Sequence, residues 1–464
     1  MLLVFLFAFF VFNKDDTHES LGYKDVIQIS LEKSPGYIQD LLSYENSLND
    51  WKQSRNEFTI KPSMSLSAID SEGPDRNESL NTSFSLNTIY LGNFSVSYNL
   101  NHCNAWSLAG SCQNLQNYNT SSSLTWTIPL GKGSGIDMKT NSLKRSNWSL
   151  EESEINLFKN RQNTISSAVQ LWLGLRNSLQ QLGIRKQNLE NSEEFLRQQT
   201  VKLNLDLIAK SALTQSAYQR DQSKLSLLSA EESVESSWEN LNIHLGFETS
   251  FRGKIKEELP PAPREIPNLE TPLENLHKYS TARLAEISLN RSKLNLKEAK
   301  DNMKWDISLT NRASGDGEGE SFGYLTDQNN THTATILVDI PLDKRAEINS
   351  LKNAENNYAS AKISYDEKIK KFTLDLTSNH RLIEKRIREL ELQESAFQLA
   401  TETYNTTLRG YQGGLNSLQD YLTAESSLVN AQLGVTNAEE TLRNAWIQWW
   451  KLTDEDLGKI FLEE

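Results

Sequence analysis

Few residues of this chain are spaced for chemistry. The six histidines include no pair at metal-ligand spacing. The segment Ser30-Leu-Glu-Lys33 matches the Ser-x-x-Lys pattern of some acylating enzymes, but a pattern this short is common by chance. The acidic, glycine-rich segment 315–320 lacks the ligand spacing of a known calcium loop, which favours a flexible outer loop. These residues therefore predict neither a catalytic centre nor a metal site.

The two cysteines, Cys103 and Cys112, lie in a loop-like segment. In an exported chain, an even pair at this spacing favours a disulfide that closes the loop. Two free thiols are the alternative.

A candidate site of a different kind is the stretch from Arg409 to Glu425, which has a long polar helical pattern on either side. At its centre lie Gly413 and Gly414, the only adjacent glycines of the chain. Glycine adopts positive φ at little cost, so it is a natural residue to end one helix before another begins. The stretch predicts the tip of a helical hairpin, where the protein would act. A helix C-cap in a coiled-coil rod is the alternative.

The composition indicates what must position this tip. Only 37% of the 464 residues are hydrophobic, and long stretches are rich in Leu, Ala, Glu, Lys, Asn, Gln and Ser. This is typical of long helices with narrow apolar stripes rather than of a compact α/β enzyme. The net charge of -13 argues against a nucleic-acid partner, which would require a basic surface.

Residues 1–12 are apolar and too few for a membrane-spanning helix. They fit the core of an export signal, and we interpret residues 1–20 as the remnant of such a signal followed by a polar leader. A buried N-terminal strand is the alternative.

The region that begins at Pro62 alternates apolar residues with Ser, Thr and Asn, which is the period-2 pattern of strands. Segments 64–68, 84–86, 94–100 and 124–128 follow this pattern. A polar face made almost entirely of Ser, Thr and Asn suits a membrane barrel with an aqueous lumen.

The order of elements then recurs. Long helical patterns cover about 136–205 and 212–245, and a proline-rich linker spans 251–272. Helix, strands and two long helices follow again, and Ile128-Pro129-Leu130 returns 212 residues later as Ile340-Pro341-Leu342. We predict a tandem repeat with one copy in residues 21–250 and the other in residues 273–464.

Each repeat supplies about two principal strands, and the first β region is longer because it also holds the 94–100 strand and the cysteine loop. Four strands cannot close a barrel with a lumen, and an open edge in lipid leaves backbone groups unpaired. If the strands span a membrane, several chains must therefore complete one barrel, and the long helices would pack side by side into a bundle or cylinder.

This order over residues 21–455 resembles the TolC-like outer-membrane efflux protein family. The most specific local match is the second tip, where the family pattern falls on Tyr411, Gly414, Asp420 and Ala424. The strand-to-helix boundaries at the two Ile-Pro-Leu segments also match.

The resemblance implies a fold that is mainly α with β. Long antiparallel helical hairpins would form a trimeric α-barrel, and the strands of three chains would form a shared 12-stranded transmembrane β-barrel. The protein would be a homotrimer in the cell outer membrane with a periplasmic helical extension. A periplasmic adaptor protein and an inner-membrane transporter would dock at the tip and open the tunnel. The family is not enzymatic and needs no cofactor.

The resemblance also assigns roles at the tips. Asp420 matches an aspartate that lines the narrowest ring of the tunnel, and the second such position is Thr423. Aspartates in a ring raise one another's pKa and attract cations. In the family, a basic residue near the tip helps to hold the closed state. The matching position in this chain is the uncharged Asn416. An ordinary solvated helix residue is the alternative for Asp420.

The first tip departs further from the family pattern. Leu207 stands where a glycine is usual, Leu213 aligns with Asp420, and Asp206 offers a nearby carboxylate. We therefore expect a gate that differs between the two repeats.

The predicted function is an outer-membrane exit duct for efflux or type I secretion. The alternative is a periplasmic coiled-coil scaffold or adaptor protein without a barrel. The Ser/Thr/apolar alternation that ends at both Ile-Pro-Leu segments favours the channel, because a scaffold does not need it.

Overall fold

The computed structural model describes residues 20–70, 76–104, 117–319 and 327–462. Its contacts divide the chain into two compact units, each assembled from several stretches. The helical unit comprises residues 20–42, 155–282 and 369–462. The sheet unit comprises the described residues of 43–154 and 283–368.

Helices dominate the described part of the chain. In order they are α1 Tyr23–Lys33, α2 Pro35–Arg55, α3 Ile136–Lys139, α4 Asn141–Asn204, α5 Lys210–Leu245, α6 Glu270–Glu274, α7 Ser280–Asp301, α8 Arg345–Gln412, α9 Leu418–Leu452 and α10 Leu457–Leu462. Proline separates α1 from α2, because Pro35 has no N–H to donate and is tolerated only in the first turn of α2.

The helical unit has one large apolar core. The indole N–H of Trp172 on α4 donates to the Leu21 carbonyl at 3.2 Å, and the rings of Tyr23 and Trp172 meet edge to face. Leu21 belongs to β1, Ser20–Leu21, which pairs in parallel with β6, Lys254–Ile255.

The C-terminal tryptophans of α9 also lie in this core. Trp446, Trp449 and Trp450 are all buried, and the Trp446 indole donates to the Pro263 carbonyl at 2.8 Å. These tryptophans therefore pack the return helix against the core rather than forming an aromatic belt.

The strands of the sheet unit form one antiparallel sheet of six. They are β2 Lys61–Asp70, β3 Arg76–Thr88, β4 Gly92–Asn104, β5 Asn117–Pro129, β7 Asp306–Gly319 and β8 Asp327–Asp339. The order is β2-β3-β4-β5-β7-β8, so the two edges within this chain are β2 and β8. The expectation of four principal strands is wrong, because β3 and β4 extend the sheet between β2 and β5 along most of their length.

The strands end where the Ile-Pro-Leu segments predict. β5 ends at Pro129, and the N–H groups of Leu130 and Gly131 donate to the Ile307 carbonyl. A Cβ on Gly131 would lie 2.2 Å from the Trp305 carbonyl oxygen, so this crossing requires glycine.

The two faces of the sheet differ in chemistry because successive side chains of a strand point to opposite faces. One face carries a row of hydroxyl residues that crosses all six strands in register: Ser63, Ser83, Ser97, Ser123, Ser314 and Thr331. The opposite face carries apolar side chains that are largely exposed in the single chain, including Met64, Leu66, Phe84, Val96, Leu124 and Ile336.

Candidate functional site at the helical tips

The second tip is a tight turn between α8 and α9. The N–H of Leu415 donates to the Gly410 carbonyl at 2.8 Å, and that of Gly414 donates to the Tyr411 carbonyl at 3.1 Å. This hydrogen-bond pair is a Schellman motif, which requires a left-handed residue just after the helix. Gly414 supplies it with φ of 75°, whereas Gly413 remains outside the left-handed region. The hairpin tip predicted at these two glycines is present.

Asp420 helps to start α9. The Ser417 backbone N–H and hydroxyl both donate to its Oδ2, at 3.0 and 2.7 Å, and the Asp420 N–H donates to the Ser417 hydroxyl. This reciprocal arrangement is a capping box. The hydrogen bonds from Ser417 hold the pKa of Asp420 below its usual range. A ring of three such carboxylates would oppose that shift, and the gate role of Asp420 stays a prediction.

Asn416 stabilises the turn. Its amide donates to the Thr407 carbonyl at 3.3 Å, and its Nδ2 lies against the backbone of Gly410. A Cβ on Gly410 would come within 2.5 Å of that nitrogen. Asn416, at the position that the resemblance assigns to holding the closed state, therefore stabilises the end of α8 within the chain.

Thr423 connects to the other hairpin through one intermediate residue. Its hydroxyl donates to the Gln419 carbonyl at 2.8 Å, and the side chain of Gln419 accepts from Gln215 on α5 at 2.7 Å. The two return helices are thus hydrogen-bonded to each other near the tips.

The first tip uses the same motif with a different residue. Leu207 N–H donates to the Lys202 carbonyl and Asp206 N–H to the Leu203 carbonyl, both at 2.9 Å. Asp206 occupies the left-handed position, with φ of 59°, and is the structural counterpart of Gly414. Leu207 corresponds to Leu415 instead, so the alignment that placed it opposite the glycine is wrong by one residue.

The same shift applies to the start of α5. Its N-cap is Ala209, which has no side-chain cap, whereas α9 has Ser417. The counterpart of Asp420 is accordingly Ala212 rather than Leu213. The first tip therefore lacks the capping carboxylate, although Asp206 places one in the turn itself.

An aromatic cluster joins the helices behind the tips. The ring of Tyr421 on α9 stacks on Phe195 of α4 with centroids 4.6 Å apart, and it also meets Tyr404 and Tyr411 of α8. The ammonium of Lys202 lies 4.9 Å from the centroid of the Tyr411 ring, within cation–π range. Tyr411 thus fixes the end of α8 against both neighbouring helices.

Sequence reasoning missed Glu425, which lies one turn after Tyr421. Its side chain is only 3% exposed, and Oε1 has no hydrogen-bond partner in the described part of the chain. Burial raises its pKa to about 7. The signal was available, because Tyr421, Leu422 and Val429 place Glu425 on the apolar stripe of α9 at helical spacing.

Cys112 and the side chain of Cys103 lie outside the described residues, so the disulfide stays a prediction. Within the described ranges, no group of three His, Cys, Asp or Glu side chains is placed to hold a metal ion. None of the described helices combines the length and the apolar character needed to cross a bilayer.

The fold is similar to those of solved outer-membrane channels. The chain superimposes on channels of the bacterial outer membrane over almost its whole length. The outer membrane protein VceC of Vibrio cholerae is 13% identical, with a TM-score of 0.68 and coverage of 93% of this chain and 96% of that one. The CmeC outer membrane channel of Campylobacter jejuni is 15% identical, with a TM-score of 0.68 and coverage of 94% and 86%. The MtrE outer membrane channel of Neisseria gonorrhoeae, in its open state, is 15% identical, with a TM-score of 0.67 and coverage of 94% and 89%.

Part of the sequence is also similar to a known family. Residues 281–453 match the family model described as outer membrane efflux protein, whereas no curated protein matches the chain. The resemblance to the TolC-like outer-membrane efflux protein family is confirmed. These similarities agree with the expected location in the outer membrane and with the expectation of a channel rather than an enzyme.

Proposed function

We propose that the protein is the exit duct of a tripartite efflux or type I secretion system. Three copies complete one barrel in the outer membrane, and their helical hairpins form a periplasmic tunnel. A periplasmic adaptor and an inner-membrane transporter engage the tips, and substrate leaves passively. The tandem repeat supplies two hairpins per chain to this tunnel.

The observation that carries the proposal is the two-faced sheet. Leu66 is 77% exposed and Ile336 is 67% exposed on one face, while the other face carries the row of hydroxyl residues from Ser63 to Thr331. A chain folded in water would cover such an apolar face. Lipid outside and water inside satisfy both faces at once.

The apolar band crosses the strands obliquely, as a barrel requires. The register row of Leu66 on β2 reaches Gly317 on β7, whereas Ile336 on β8 lies in the row of Leu309 and Ile128. The two rows are 317 − 309 = 8 residues apart along β7. Strands tilted by roughly 35–45° to a barrel axis would bring such a slanted band level with the membrane.

The helices of the helical unit support lateral assembly. Exposed apolar residues lie seven positions apart on α5, at Tyr218 and Leu225, and on α8, at Leu392 and Leu399. Heptad spacing is the pattern by which long helices pack side by side, so neighbouring copies would cover these stripes.

A coiled-coil scaffold or adaptor, the other function considered, needs helices but no sheet with an exposed apolar face. A monomeric soluble protein in the periplasm would favour that alternative. An oligomer in outer-membrane fractions that migrates differently after heating would favour the channel.

A pair of substitutions tests which face meets lipid. Leu66→Arg should reduce the heat-modifiable oligomer strongly, since an arginine facing lipid near the bilayer centre costs about 2–4 kcal/mol. Ser65→Arg, one residue away on the hydroxyl face, should assemble like the wild type. Equal assembly of the two variants would contradict the proposed orientation.

A further inference from the structure

Resting on the proposed trimeric channel, we propose that its outer-membrane barrel has eighteen strands. The hairpin β3–β4, residues 76–104, is part of the barrel wall in each copy. Three chains with six strands each give 3 × 6 = 18. The family resemblance implies twelve, which is the number that remains if this hairpin is left out.

The hydroxyl row places the hairpin in the same wall as the other strands. The hydroxyls of Ser63 and Ser83 lie 2.9 Å apart, and those of Ser97 and Ser123 lie 2.8 Å apart. Ser83 and Ser97 are paired in register between these two contacts. The inserted hairpin therefore presents its polar side to the same space as β2 and β5.

The outer side of the hairpin has the chemistry of a lipid-facing wall. Phe84 and Val96 are both close to half exposed, and Phe94 stacks on Trp126 of β5 with centroids 5.5 Å apart. Tyr90 in the β3–β4 turn is 76% exposed. Aromatic residues at one end of the apolar band are typical of the membrane interface.

The strand directions allow closure between copies. Every neighbouring pair in the sheet is antiparallel, and an even number of strands leaves β2 and β8 running in opposite directions. β8 of one copy can therefore pair antiparallel with β2 of a second copy. Pairing would satisfy edge groups that lipid leaves without partners.

The consequence is a wider exit. Barrel diameter grows roughly in proportion to strand number, so eighteen strands give about 1.5 times the diameter of twelve. Barrels of 16–18 strands leave an open aqueous channel. The hairpin would thus let bulkier cargo leave the outer membrane.

Cysteine pairs in the hydroxyl row test the inference in the full-length protein, with Cys103 and Cys112 replaced by serine. Ser97→Cys with Ser123→Cys should crosslink within one chain in outer-membrane fractions. Ser63→Cys with Ser123→Cys should not, because β3 and β4 separate these positions by about 14 Å, three strand spacings. Deleting residues 76–104 should bring positions 63 and 123 together and allow that crosslink.

Electron cryomicroscopy of the purified wild-type channel in lipid nanodiscs gives the strand number directly, even if the deletion variant does not fold. Eighteen strands and the 97–123 crosslink are the expected result. A closed trimeric barrel of twelve strands, with a 63–123 crosslink in the undeleted chain, would overturn the inference and leave the proposed function intact. A protein that forms no closed barrel would remove the proposed function and the inference with it.

Discussion

Glu425 is a carboxyl group buried beside the aromatic cluster that holds the tips together. Desolvation raises its pKa from the ordinary 4.5 to about 7, so the folded protein binds its proton more tightly than the unfolded chain does. The contribution to stability is fully present below pH 4.5 and is lost as the pH rises from 4.5 to 7. At pH 8 the loss reaches about 3 kcal/mol, from 1.36 kcal/mol per pKa unit.

Glu425→Gln should remove this dependence. The variant should match the wild type at pH 4.5 and be more stable than it at pH 8, as measured by thermal unfolding of the helices in detergent. Glu402→Gln, at an exposed position of α8, is the matched control and should leave the pH profile unchanged. A Glu425→Gln profile that still parallels the wild type would show that the buried carboxyl is not the titrating group.

The turn that follows α8 contains two adjacent glycines, Gly413 and Gly414, and we expect alanine to have different effects at the two positions. Among the described residues, apart from the chain neighbours of Gly414, no atom lies within 4 Å of the place that an added Cβ would take. The cost of Gly414→Ala therefore comes only from positive φ and should be about 1–2 kcal/mol. At Gly413 the nearest atom is an ordinary contact 3.4 Å away and φ is not positive, so Gly413→Ala should be neutral or stabilise by about 0.4–1 kcal/mol. Thermal unfolding midpoints and protease cleavage at the tip would measure the two effects. Equal effects at both positions would contradict the left-handed cap at Gly414.

The sequence predicts elements better than it predicts their neighbours. Period-2 alternation located the strands, and the Ile-Pro-Leu segments located their ends, because both are local consequences of side-chain direction and proline geometry. Alternation does not say which strand pairs with which. The position of β3 and β4 within the sheet is therefore visible only in the strand pairing of the structure, for example in Phe84 opposite Val96.

The tips show the same limit at finer scale. Gly414 can be predicted from the sequence because glycine is the usual left-handed residue at the end of a helix. Asp206 adopts the same left-handed conformation, but its residue type does not predict it. The sequence comparison took Leu207 as the glycine position, which is one residue after the left-handed residue Asp206. Glu425 was missed because a charged residue on an apolar stripe is normally discounted, although its spacing from Tyr421 predicts burial.

In the proposed trimer, the electrostatics of the tunnel mouth depend on three copies of each tip. Asp420 occurs once per chain, and the neighbouring family position is Thr423, so one carboxylate per copy would form the ring. The mouth should select cations less strongly than a ring with two aspartates per copy, because the local field scales with the number of charges.

We therefore expect Asp420→Asn to lower cation selectivity and Thr423→Asp to raise it, measured as reversal potentials in planar bilayers under a salt gradient. Asparagine keeps a side-chain oxygen that can accept from Ser417, so the cap of α9 should survive and the change should report charge alone. Asp206→Asn, at a residue type that tolerates the left-handed conformation, separates the contribution of the first tip. If Asp420→Asn and Thr423→Asp both leave the reversal potential unchanged, Asp420 does not line the constriction and acts only as the cap residue of α9.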